Sequence, residues 1–258
     1  YIKSVYDREI NVYDIYKGLK LSEEELENAQ KYAELSEPTE ESTLFAKQLM
    51  SKPKYAKLVA EIQEQANLLP PSGAIAGIYC ANDNQRGVWH APANMSVSGI
   101  SDINVRISDK QQGELNEDTS GKCINAIRAF QGKGILVWGA RTLDGLSSEW
   151  KYISVRRFFN YVEESIQEST AWAVFQPNDA NTWVKVRCQI ENFLSNLWRD
   201  GALAGSTPQE AFYVRVGINQ TMTAQDILNG YMIVEIGMAA VRPAEFIVLQ
   251  FSHKLQES

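Results

Sequence analysis

"WKYISVRRFFNYVEESIQESTAWAVFQPND" occupies residues 150–179. Within it, residues 154–168 place Val155, Phe158, Phe159, Val162 and Ile166 on one face and Asn160, Glu163, Glu164 and Gln167 on the other. That spacing is the 3.6-residue period of an amphipathic helix. "TAWAVF" (170–175) then reads as a strand, and Asn178 or Asp179 as the N-cap of a second, longer helix. The inward face of that helix is Trp183, Val186, Ile190, Phe193, Leu194 and Leu197, and Gly201 stands where a helix stops. Helix, strand and helix in one short span point to a mixed α/β (α+β) fold.

The same reading extends in both directions. Upstream, "GILVWGARTL" (134–143) reads as a buried strand bounded by glycine. Downstream, Thr207-Pro208-Gln209-Glu210 has the form of a capping box before the strand "AFYVRV", and Thr223 with Asp226 opens a short helix that Gly230 ends. Two strands close the chain, "YMIVEIGMAAV" and "EFIVLQFSHKL", hinged at Pro243. In the last one Phe246, Ile247, Val248 and Leu249 are consecutively apolar, and Phe251 extends the run past one Gln. A continuous apolar run marks a strand covered on both faces. Either it enters the middle of its own sheet, or another subunit covers it.

The front of the chain is different. Residues 1–20 carry tyrosines and β-branched residues suited to a strand or two, and 21–69 read as helical. Ser22 with Glu25 fits a capping box, "SEPTEEST" (36–43) interrupts the helix, and a third helical stretch begins near Pro53 with Tyr55, Leu58, Val59, Ile62 and Ala66 on one face. Residues 69–95 are rich in Pro, Gly and Asn and read as loop around a short helix or strand. Residues 96–131 read as irregular, with a strand at 103–107 and a helix near 122–130. The expected organisation is therefore a front part over 1–131 and a C-terminal domain over 132–258, with a terminal strand or arm at 244–258. The first residue is Tyr1 rather than Met, so the front part is expected to be incomplete.

Composition narrows the function classes. The net charge of −7 and the pI near 5.1 argue against a nucleic-acid or anionic-membrane partner, which would select a basic face. No apolar run approaches the ~20 residues that span a bilayer, so membrane insertion is not expected. Cys80, Cys123 and Cys188 form no CxxC pair and read as reduced, buried thiols of a protein made in a cytoplasm. The two histidines, His90 and His253, have no spacing that suggests a metal pair or a catalytic triad. "SGKC" (120–123) fails as a phosphate loop, because Asn116 stands at the first glycine position and Cys123 replaces the hydroxyl residue. No catalytic constellation emerges, and no cofactor or metal is expected.

Several long stretches carry a resemblance. "PPSGAIAGIYCANDNQRGVWHAPAN" (70–94) is similar to a PPSGAVAGIYA…RGVWKAPAN segment of contractile tail sheath proteins, with His90 in place of the usual Lys. "GILVWGARTL", the opening stretch, "FLSNLWRDGALAGSTPQEAFYVR" (193–215) and "VEIGMAAVRPAEFIVLQF" (234–251) resemble the successive signatures of that family's C-terminal domain, in order. The resemblance covers about 70–258.

It implies a two-part sheath-protein core, with a C-terminal mixed sheet flanked by amphipathic helices. It implies a structural, non-enzymatic subunit of stacked six-fold rings around an inner tube, assembled in an extended state and contracting to drive the tube through an envelope. The implied partners are other copies of the chain, stitched by terminal arms, together with the inner tube, baseplate and collar proteins. The implied location, after synthesis in a bacterial cytoplasm, is a phage tail, bacteriocin or injection particle. Candidate subunit-interface residues are Phe246, Ile247, Val248, Leu249, Phe251, Trp89, Arg141, Arg156 and Arg157; for the arginines the alternative is pairing within the chain, with Glu163 or Glu164. Lys185, Arg187 and Glu191, on the mixed-charge face of the long helix, are tube-facing candidates. Two rival readings stand beside this one: a non-contracting paralogue at the collar or baseplate end, and a cytoplasmic α/β enzyme with an unrecognised site.

Overall fold

The computed structural model describes residues 22–33, 39–116, 121–145 and 147–246. The chain divides into two compact units, residues 1–71 and 72–258. In the first, α1 (Glu23–Ala33), α2 (Glu40–Met50) and α3 (Pro53–Asn67) follow one another. Their starts are set locally. Ser22 and Glu25 exchange side-chain-to-backbone hydrogen bonds, as do Thr39 and Ser42, so each helix begins with donors already satisfied. The Lys52 ammonium, in the α2–α3 turn, reaches the Glu25 carboxylate at 2.6 Å and ties that turn to α1. The strands anticipated in 1–20 lie outside the described residues.

The second unit opens with α4 (Ser72–Arg86), so most of the passage expected to be loop is a helix of 15 residues. Pro70 and Pro71 end the preceding segment, and the small residues after them favour a helix despite two glycines. Beyond α4 the chain turns at Gly87, whose φ of +93° brings the Trp89 ring to within 2.6 Å of where a Cβ would stand. The buried Asn82 fixes this turn by donating through Nδ2 to the His90 carbonyl at 3.0 Å.

β1 (Met95–Ser96), α5 (Asp109–Asn116), β2 (Ala126–Phe130) and β3 (Gly134–Trp138) follow. They give an antiparallel sheet in the order β1-β3-β2. Residues 122–130, expected as a helix, thus supply a strand. The cause is the neighbouring hairpin turn, where Gly132 and Gly134 take φ of +75° and +79° and fold the segment back onto β3. No strand forms at 103–107.

The rest of the unit is α6 (Ile153–Ser169), α7 (Ala180–Arg199), α8 (Pro208–Ala211), β4 (Phe212–Val216), α9 (Ala224–Leu228) and β5 (Val234–Met238). Phe158 and Val162 of α6 share one buried cluster with Val186, Ile190, Leu194 and Leu197 of α7 and with Val214 of β4. Each large member contributes about 1.5–3 kcal/mol through burial. Asp179 caps α7 by accepting from the Thr182 N–H, and the helix closes when Gly201 and Ala202 donate to the carbonyls of Trp198 and Leu197. At α8 the expected capping box does not form: Glu210 accepts from the Ser206 N–H instead, and Thr207 makes no side-chain cap.

"TAWAVF" is not a strand. Ala171–Ala173 make a single 3₁₀ turn, and Trp172 donates its indole N–H to Gln189 of α7 at 2.8 Å. The segment has no strand beside it among the described residues, and Phe175 leaves it at φ +64° with its ring fully exposed.

Candidate assembly surfaces

β4 and β5 pair antiparallel as a two-stranded sheet, with Phe212 opposite Met238 and Val216 opposite Val234. The phase of the ladder follows from its continuation, where the Ala239 N–H donates to the Ala211 carbonyl at 2.8 Å. In an antiparallel pair successive residues turn their backbone groups to opposite sides. Glu235 and Gly237 therefore face β4, while Val234, Ile236 and Met238 present N–H and C=O to the other edge. Among the described residues no strand lies along that edge. The side chains of Val234, Ile236 and Met238 pack onto the core, so the edge is held rigidly from behind.

The solvent face of this ribbon is organised by Tyr213. Its ring lies across Gly237, where a Cβ would come within 2.2 Å of it, and its hydroxyl bonds the Glu235 carboxylate at 2.8 Å. The Arg215 guanidinium stands 4.7 Å from the ring centre. This cross-strand set keeps the two strands in register without a third neighbour.

Beyond β5 the chain is tied down before it reaches the terminal apolar run. Leu203 and Ala240 form an isolated bridge, flanked by hydrogen bonds from Ala204 to Ala239 and from Val241 to Ala202. Arg242 donates to the Ser148 carbonyl. Glu245 is held by Arg141, whose side chain is only 3% exposed: Nη2 and Nε reach its carboxylate at 2.7 and 2.8 Å, and Nη1 reaches the Asn116 carbonyl at 2.8 Å. The Tyr152 hydroxyl adds a bond to the same carboxylate at 3.2 Å. Burial works to raise the Glu245 pKa, but the Arg141 hydrogen bonds and charge outweigh it and the carboxyl titrates below its ordinary value. Phe246 follows, 72% exposed. Ile247, Val248, Leu249 and Phe251 lie outside the described residues.

The other arginines also find partners inside the chain, though not Glu163 or Glu164, which are exposed. Arg157 forks onto Asp83 of α4 at 2.6 and 2.9 Å and lies 4.7 Å from the Tyr79 ring centre. Arg156 is exposed and stacks 4.9 Å from the Trp150 ring. Trp89 packs edge-on against Phe158, with ring centres 6.3 Å apart. On α7, Lys185 is exposed, and Arg187 approaches Glu191 at 3.8 Å while its Nε finds no hydrogen-bond partner. The sequence could not supply Asp83 and Glu245, which lie 74 and 104 residues from their arginines. Of the cysteines only Cys123 is buried; Cys80 and Cys188 are exposed.

A cleft of about 850 Å³ runs beside the terminal segment, lined by Trp89, His90, Asn94, Trp138, Pro243 and Glu245 among others. His90 lies there, and burial and the nearby Arg86 hold its pKa below the ordinary value. Among the described residues no cluster of three or more His, Cys, Asp or Glu is placed to hold a metal ion.

Residues 147–254 match the family model described as the phage tail sheath C-terminal domain. Among solved structures, the sheath complex of an extracellular contractile injection system, PVC, in its contracted state is 47% identical with a TM-score of 0.69, over 72% of this chain and 51% of that one. A chain in the baseplate of the anti-feeding prophage (AFP), symmetrised six-fold, is 49% identical with a TM-score of 0.67, over the same shares of the two chains. The tail sheath protein of Vibrio phage KVP40 is 24% identical over 185 residues, 71% of this chain and 26% of the phage protein. The chain thus spans about half the length of these structures and about a quarter of the phage relative.

Proposed function

We propose that this chain, a homologue of the contractile tail sheath proteins, is the part of a sheath subunit that links neighbouring copies around an inner tube. The edge of β5 along which no described strand lies carries the reading. Val234, Ile236 and Met238 offer backbone donors and acceptors in a row, on a strand whose rear packs onto the core, and an incoming strand satisfies them by main-chain hydrogen bonding. The run from Phe246 to Phe251, hydrophobic apart from Gln250 and following the last tie seen among the described residues, is the matching donor in a second copy.

Strand addition of this kind lets whole subunits tilt and slide while staying connected. That is what a cylinder needs if it is to shorten and widen without falling apart. The mixed-charge face with Lys185, Arg187 and Glu191 is assigned to the inner tube. Lys185 is exposed there and the Arg187 and Glu191 side chains are partly exposed, so the face can meet complementary charge on the tube. The similarity to a chain within a baseplate extends the reading to baseplate contact through the same edges. The relatives are structural proteins, and the role proposed here is likewise structural, in a phage tail or injection particle.

The test is negative-stain electron microscopy of the chain, carried in its full-length protein and co-expressed with a candidate tube protein from the same source. Hollow cylinders of uniform width are expected. Dispersed monomers in the presence of the tube protein would overturn the reading.

A further inference from the structure

We infer that the Arg141–Glu245 pair is the mooring of the terminal arm: it fixes the point from which the arm leaves the body and delivers the arm's pull to the core. The inference deepens the function proposed above and rests on its assignment of the run after Phe246 as an exchanged strand.

The geometry is that of a cleat. Arg141 lies just beyond β3 and is held on both backbone sides by Asn125, whose Oδ1 accepts from the Arg141 N–H at 2.9 Å and whose Nδ2 donates to its carbonyl at 2.8 Å. Its guanidinium divides between a forked grip on Glu245 and a bond to the Asn116 carbonyl at the end of α5. Tyr152, at the start of α6, closes on Glu245 from a third element. One carboxylate on the terminal segment is therefore gripped by a nearly buried guanidinium that is itself fixed to the body.

Position matters as much as strength. Glu245 comes immediately before Phe246, and the chain between β5 and Glu245 contains Pro243, so little slack is left on the body side. Val241 and Arg242 bond to Ala202 and Ser148, but through the backbone or to an exposed carbonyl. The Arg141 grip is the last tie among the described residues before the arm. A strand docked on a neighbour can position that neighbour only if its root does not swing. A forked ion pair sheltered from water resists such motion better than an exposed contact, because it is weakly screened and fixes orientation as well as distance.

Three chains test this: wild type, Glu245→Gln and Arg141→Lys, each in the full-length protein with its tube protein. Two readouts are taken. The first is the lowest concentration at which cylinders form. The second is capture of a synthetic peptide of residues 246–258 by the unassembled protein, which reports the receiving edge and not the mooring. Glu245→Gln is expected to raise the cylinder threshold tenfold or more while capturing the peptide within twofold of wild type. Arg141→Lys keeps the charge but not the fork and is expected to fall between. A Glu245→Gln chain that assembles at the wild-type threshold overturns the mooring and leaves the sheath reading intact. Parallel loss of peptide capture also overturns it, because the residue would then only support the fold. A wild-type chain that forms no cylinders overturns the sheath reading and the mooring with it.

Discussion

Proline substitution at adjacent residues of β5 separates folding from assembly. The Glu235 N–H points into the sheet toward its partner Arg215, so Glu235→Pro removes an internal ladder bond and leaves a carbonyl unpaired, at a cost of about 1–3 kcal/mol. The Ile236 N–H points to the outer edge, so Ile236→Pro removes no bond to another strand among the described residues. It loses part of a packed side chain, about 1–2 kcal/mol at ~0.8 kcal/mol per methylene. The two substitutions should therefore lower the thermal midpoint by similar amounts, with the Glu235 variant at least as affected. Assembly should rank them the other way. A docking strand loses the central donor at position 236 and meets the proline ring, together about 2–3 kcal/mol, or roughly 30- to 140-fold in strand affinity. Differential scanning fluorimetry gives the first comparison and cylinder counts with the tube protein the second. Equal assembly by the two variants, or better assembly by Ile236→Pro, would refute the proposed receiving edge.

Three further outcomes follow from the same structure. Phe158→Ala, at a fully buried site in the cluster joining α6 to α7 and β4, should destabilise by about 3–5 kcal/mol in denaturant unfolding, whereas Phe175→Ala, at a fully exposed ring, should change stability by no more than ~0.5 kcal/mol. Arg157, by hydrogen bonding first and by its charge second, holds the Asp83 pKa below its ordinary value; the pair's contribution is therefore complete above the unfolded-state pKa near ~3.9 and is lost as the pH falls through the lower folded-state value. A midpoint series from pH 7 to pH 3 should show a smaller acid-induced drop for Asp83→Asn than for the wild type. Gly237→Ala should displace the Tyr213 ring and break its bond to Glu235, which tyrosine fluorescence reports, with a modest loss of stability because that face is exposed.

What the sequence made legible was what depends on near neighbours. The inward faces of α6 and α7, the Asp179 cap, the stop at Gly201 and the Thr223–Asp226 box needed only spacing and capping chemistry, and the structure places them as read. The errors arose where distant residues decide. Residues 126–130 carry as much helical as extended character, and the hairpin with β3 makes them a strand. "TAWAVF" has strand composition but no partner strand among the described residues, and its Trp172 is fastened sideways to α7. Arg141 and Arg157 read from sequence as interface residues or as partners of Glu163 or Glu164; their partners Glu245 and Asp83 escape spacing, because an ion pair leaves no periodic trace when its members are 104 or 74 residues apart.

The same distinction bears on how such a subunit can move without coming apart. The core of α6, α7 and β4 is apolar and close-packed, and packing of that kind resists gradual deformation; it either holds or fails. A change of shape in an assembly of these bodies must therefore fall between them. The contacts suited to that are an edge able to bind by main-chain hydrogen bonds, indifferent to side-chain detail, and a mixed-charge face that solvent still reaches. The mooring at Arg141 belongs to neither group. It is specific, sheltered and internal, and it stands where the deformable linkage meets the rigid body. If the arm carries load between subunits, that junction has to be the stiffest point outside the core, and a forked ion pair fixed from three elements meets the requirement better than any exposed contact on the surface.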